Sequence, residues 1–114
     1  MSTVKFNTWQ NTDGTENYKC RAWVNFDGTT NTGGNCDIRA SGNVSSVTDN
    51  GTGSYTVNFS TAFTDANYAV ASTTGEGSAN RLATARLYTT SSVDIRVYTT
   101  AFVDNEIVCV AVFR

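Results

Sequence analysis

Three kinds of side chain in this sequence could take part in chemistry: ten carboxylates, eight lysines and arginines, and three cysteines. Histidine is missing altogether, which removes the commonest general base and the commonest transition-metal ligand. A Ser-His-Asp or Cys-His arrangement is therefore impossible. Cys20, Cys36 and Cys109 lie far apart with no C-x-x-C spacing, so the sequence predicts no zinc site. Nucleotide-binding glycine loops and the D-x-D-x-D-G calcium loop are absent as well. Paired carboxylates would serve a glycosidase. However, Asp13, Asp27, Asp49, Asp65 and Asp104 fall mostly in turn sequences, where Asp accepts backbone N–H groups. Asp104 and Glu106, two apart, read as a solvated edge rather than an acid–base pair. This inventory predicts a protein that binds rather than catalyses, with no cofactor and no metal.

Glycan recognition needs aromatic faces for stacking and planar polar groups beside them. Glu76, Asn80 and Arg81 in the stretch 74–81, with Asp27, Asn31 and Asn35 in the stretch 27–36, are the candidates for contacting a glycan or receptor. Trp23, Tyr88 and Tyr98 are expected on outward strand faces. The plainer expectation for Trp23 is cover by an opposite sheet or a neighbouring subunit, and for the tyrosines cross-strand pairing. A formal net charge of −2 with both signs scattered speaks against nucleic acid and anionic membranes. No apolar run reaches the length of a membrane span, and residues 1–5 lack the pattern of a signal peptide, so synthesis in the cytoplasm is expected. An odd number of cysteines without an export signal favours free thiols, a Cys20–Cys36 bridge across a hairpin being the alternative.

The elements that would position these groups read as strands. Asn43–Phe59, N-V-S-S-V-T-D-N-G-T-G-S-Y-T-V-N-F, is a hairpin with its turn at Asn50-Gly51, or a slightly longer bulged loop that uses Gly53. Tyr55, Val57 and Phe59 share its inner face. Residues 18–26 alternate, with Ala22, Val24 and Phe26 on one face and Arg21, Trp23 and Asn25 on the other. A long polar loop is expected over 27–36, then a short strand over Asp37–Ala40. Strands follow at 67–73, 81–90 and 92–99, with Val93, Ile95 and Val97 inward. The closing I-V-C-V-A-V-F is apolar on both faces, which suits a central strand or one covered by another subunit.

Seven to nine strands with turn signals every 8–12 residues predict an all-β fold, an antiparallel β-sandwich of jelly-roll type over 18–114. Residues 1–17 form an extended N-terminal arm. Val4, Phe6 and Trp9 of that arm, with Val108, Val110 and Val112 of the last strand, are the expected contacts to other subunits or virion proteins.

The stretches C-R-A-W-V-N-F-D-G-T at 20–29, I-R-A-S-G-N-V-S-S-V-T-D-N-G-T-G-S-Y-T-V-N-F at 38–59 and D-A-N-Y-A-V at 65–70 together resemble a module of tail-fibre and other virion proteins of tailed bacteriophages. Many of these come from phages of marine and freshwater bacteria, cyanophages included. K-F-N-T-W-Q-N-T-D-G near the start resembles the segment preceding that module. The sequence departs from the pattern at T-N-T-G-G-N-C-D, 30–37, which is longer and carries a cysteine. The resemblance implies a virion location and a homotrimer about a long axis, acting as a short tail fibre or fibre tip that contacts the host surface. The alternative is a capsid or tail decoration, cement or adaptor protein with a purely structural role.

Overall fold

Alternation of β-branched and polar residues becomes eight strands: β1 (Cys20–Thr32), β2 (Asn35–Gly42), β3 (Val44–Gly51), β4 (Ser54–Phe59), β5 (Ala69–Gly75), β6 (Leu82–Arg86), β7 (Ser92–Tyr98) and β8 (Ile107–Phe113). The structure is a computed structural model that describes residues 3–5, 7–8, 10–14, 19–75 and 81–114. The strands are antiparallel and hydrogen-bonded into one sheet of order β5-β8-β1-β2-β3-β4-β7-β6. The fold is thus all-β and antiparallel, as expected, with its strands joined in a single curved sheet.

Curvature brings the outermost strands, β5 and β6, together. Among the described residues no ladder joins them. The Ser72 hydroxyl donates to the Ala83 carbonyl at 2.9 Å and the Thr74 hydroxyl to the Arg81 carbonyl at 3.0 Å. The junction of β2 and β3 is almost as sparse, with Asn35↔Thr48 the paired position and the Asp49 amide bonded to the Gly34 carbonyl. The enclosed core is built from inward residues of every long strand. Phe26, Val47, Tyr55, Val57, Val93, Ile95, Val97 and Val108 are completely buried. Phe59, Phe63, Tyr68 and Tyr88 form a chain of ring contacts at one end, with the Phe59 and Phe63 rings stacked 4.8 Å apart.

Several expectations are corrected here. Val108, Val110 and Val112, expected as contacts to other subunits, are instead at most 3% exposed and pack inside this chain's own core. β8 lies between β1 and β5 in the sheet, and its outward residues Ile107, Cys109 and Ala111 are half-buried. Residues 27–36 are not a long loop. β1 runs on to Thr32, Gly33 and Gly34 both take positive φ, and Asn35 pairs back with Thr32, a two-residue turn of the kind that matches strand twist. In the second hairpin the turn lies at Thr52-Gly53, with Gly51↔Ser54 as the last pair and a bulge between Asp49 and Gly51. That is the bulged alternative that uses Gly53. Strand β6 stops at Arg86 because Leu87 adopts φ 51°. All three cysteines are free thiols.

Candidate functional site

The expected loop residues are largely occupied by structural bonds. Asp27 accepts the Thr29 amide at 2.9 Å and the Thr29 hydroxyl at 2.5 Å, and pairs with Arg39 at 3.5 Å. Burial alone would raise its carboxyl, but the Thr29 bonds and the Arg39 charge hold it below the ordinary carboxylate value. Asn31 donates to the Asp49 carboxylate at 3.1 Å and accepts the Gly34 amide at 3.0 Å, tying the first turn to the second hairpin. Asn35 is exposed beside that turn. Arg81 belongs to a different group: its Nη1 donates to Asn105 Oδ1 at 2.6 Å and to the Asp104 carbonyl at 3.2 Å. Glu76, Asn80, Phe6 and Trp9 lie outside the described residues, and Val4 is 73% exposed.

Arg81 is one part of a polar plug that closes one end of the sheet. Asn105, with no exposed surface, donates to the Gly75 and Ile107 carbonyls at 2.6 and 2.7 Å. Its own carbonyl accepts the Gly28 amide at 2.9 Å. The Tyr55 hydroxyl lies 2.8 Å from both the Gly28 carbonyl and Asp104 Oδ1, and that carboxylate also accepts the Gly53 amide. Burial, followed by the bond to Asp104 and the charge of that carboxylate, pushes the Tyr55 phenol far above its ordinary value. These bonds hold β1, β4, β5, β6 and the approach to β8 together, while the buried Arg81 Nε makes no hydrogen bond. The plug is structural chemistry.

The outward face of β1 offers something different: Arg21, Trp23, Asn25 and Asp27 in succession. Trp23 is 44% exposed. The opposite residue on β2 is Gly42, where an added Cβ would fall 2.5 Å from the indole Nε1. The indole therefore rests on bare backbone, a seat that only glycine leaves open. On the other side Trp23 pairs with Ala111 of β8, which pairs with Ala71 of β5. These small side chains leave an open groove of about 360 Å³ lined by Trp23, Asn25, Ala71, Thr73, Cys109 and Ala111.

Two bulges complete this face. Pairing of β1 with β8 shifts register between Cys20 and Ala22, so Arg21 is the extra residue, and Cys20 and Arg21 are both exposed. Pairing of β1 with β2 shifts at Asn25/Phe26, which leaves Arg39 as the extra residue. Bulges re-aim side chains. Arg39 reaches back across β1 to Asn25 Oδ1 at 3.2 Å and to Asp27. The Asn25 amide NH₂ makes no hydrogen bond among the described residues, while Arg39 and Asp27 neutralise each other.

Beyond Arg21 lies a second hollow of about 270 Å³, lined by Arg21, Asn43, Thr61 to Thr64 and Arg114. Asn43, at φ 54°, donates to the Arg21 and Thr61 carbonyls and accepts the Thr61 amide at 2.7 Å. Those bonds fix the floor. Arg114 presents Nε and Nη2 to Asp65 at 3.0 and 2.7 Å. The hydrogen bonds from Arg114 and the Asn67 amide bring the Asp65 carboxyl down to about 2.

The outward placement of Arg21, Trp23 and Asn25 follows from alternation in the sequence. Arg39 and the glycine seat carry no local signal, since each depends on pairing between strands. Among the described residues no group of three or more His, Cys, Asp or Glu side chains is placed to hold a metal. Comparison with protein-family models, with curated proteins and with solved structures finds no match for this chain.

Proposed function

We propose that this chain is a non-enzymatic virion protein, a short tail fibre or fibre tip, whose copies assemble as a homotrimer and contact glycan on the host surface. The observation that carries the binding role is the half-exposed Trp23 indole on its Gly42 seat, at the edge of an open groove that also holds Asn25 and Thr73. The indole face is suited to the C–H face of a sugar ring, and the neighbouring amide and hydroxyl to its hydroxyl groups. Virion membership rests on the resemblance of 20–29, 38–59 and 65–70 to phage tail-fibre modules. A trimer would present three such faces, multiplying a weak single contact.

A glycan array probed with the wild-type chain and with Trp23→Ala tests the binding role. Wild type is expected to bind and the variant to lose the signal while keeping its melting temperature. Equal signals would remove Trp23 from the site. Mass measurement in solution checks the trimer, and a stable monomer would count against the fibre reading. The exposure of Val4 favours one other reading, a cement or adaptor protein with arm 1–17 as a strap. Deleting the arm would then abolish attachment to the particle, with glycan binding absent from the start.

A further inference from the structure

Arg21 and Trp23 are two residues apart on the same outward side of β1, about 7 Å along the strand. Arg21 lines the hollow and Trp23 the groove, with Ala22 alone between them in β1. The two halves differ in character. The Trp23 half has an aromatic plane, small apolar side chains and polar groups whose charges are already cancelled by the Arg39–Asp27 pair. The Arg21 half is cationic. The Arg21 guanidinium has no hydrogen bond or ion pair among the described residues. Arg114 turns its Nε and Nη2 edge to Asp65, and its Nη1 makes no bond among those residues. Both arginines line this hollow, a notch whose floor is fixed by Asn43; Asp65 neutralises Arg114, so the uncompensated positive charge there is that of Arg21.

From this juxtaposition we infer that the ligand is an acidic oligosaccharide. A neutral sugar ring stacks on Trp23 and the carboxylate or sulfate of the adjoining sugar enters the notch between Arg21 and Arg114. This rests on the glycan-binding role proposed above and adds the charge and the order of the sugars. Guanidinium groups bind such anions through charge-assisted, often two-pronged hydrogen bonds.

The experiment compares two probes by calorimetry at low salt: a hyaluronan tetrasaccharide, in which glucuronate alternates with N-acetylglucosamine, and the neutral N-acetylglucosamine tetramer. The acidic probe is expected to bind about tenfold more tightly, the scale of one charge-assisted contact. Arg21→Gln should reduce it to the neutral probe's affinity and leave the neutral probe unchanged. Arg21→Lys should restore part of the difference, and salt at about 0.5 M should erase most of it. Thermal melts of each variant establish that the fold is kept. Equal affinity for the two probes, both dependent on Trp23, would overturn the acidic assignment and leave the glycan role standing. An acidic preference untouched by Arg21→Gln would overturn it too. Binding of neither probe, with Trp23→Ala turning an oligomer into a monomer, would assign the face to subunit contact and overturn both proposals.

Discussion

Tyr55 is at once a core ring, packed edge-on against Phe26 at 5.1 Å, and the hub of the polar plug. Tyr55→Phe keeps the ring and removes the single hydroxyl proton that the Gly28 carbonyl and the Asp104 carboxylate share. The expected loss is about 1–3 kcal/mol of stability, read from urea unfolding. Asn105→Ala leaves the Gly75 and Ile107 carbonyls without that donor and Arg81 with only the Asp104 carbonyl as acceptor, and is expected to lower stability by more than Tyr55→Phe does. Cys36 differs from the other thiols. Burial, reinforced by the negative charges of Asp49 and Asp104, pushes its thiol up to about 12. It should stay unmodified by iodoacetamide at pH 8 in the folded protein while exposed Cys20 reacts. Gly42→Ala places a methyl where the indole now lies. It should shift Trp23 fluorescence and weaken glycan binding without unfolding the sheet.

At the scale of elements, β4 and β7 are legible in the sequence because strict alternation meets strict burial: Tyr55, Val57 and Phe59, and Val93, Ile95 and Val97, are all inside. The extent of β1 and β2 is not legible. Asp27-Gly28-Thr29-Thr30-Asn31 has the composition of a loop, yet Gly28 serves close packing, since a Cβ there would meet the Tyr55 hydroxyl at 2.5 Å. Only the partner strand reveals that reason. The second hairpin shows the same limit. Asn50-Gly51 is the stronger local turn signal, but Gly53 wins because its Cβ position is filled by the Val97 carbonyl, 2.4 Å away, and its φ is +64°. Gly53→Ala combines strain with a backbone clash and should cost at least about 1–3 kcal/mol. Gly33→Ala, with open space around it, should cost less. Comparing the two midpoints in urea checks the order. The candidate site divides in the same way. Alternation alone puts Arg21, Trp23 and Asn25 on one face, whereas Arg39, Arg114 and the notch floor arrive through pairings that no local pattern encodes.

For the whole molecule, the Asp65–Arg114 pair links the connection before β5 to the residue after β8. Its folded carboxyl lies at about 2 against an ordinary value of 3.8. A depressed carboxyl stabilises the fold above its unfolded value, and that contribution disappears as pH falls through its folded value. Melting temperature should therefore decline between about pH 4 and pH 2, and Asp65→Asn should flatten that decline. The sheet as a whole divides into β5-β8-β1-β2 and β3-β4-β7-β6, each internally laddered. Between them run the sparse β2/β3 junction, the hydroxyls of Ser72 and Thr74, and side-chain bonds of the plug and turns such as Tyr55 to Gly28 and Arg81 to Asn105. In mechanical terms these are two stiff shells with a hinge at β2/β3 and a latch at β5/β6. Opening the latch would break no ladder, only side-chain bonds: those of Ser72 and Thr74 and the Arg81 bonds to Asn105 and the Asp104 carbonyl, so the seam resists load through side chains alone.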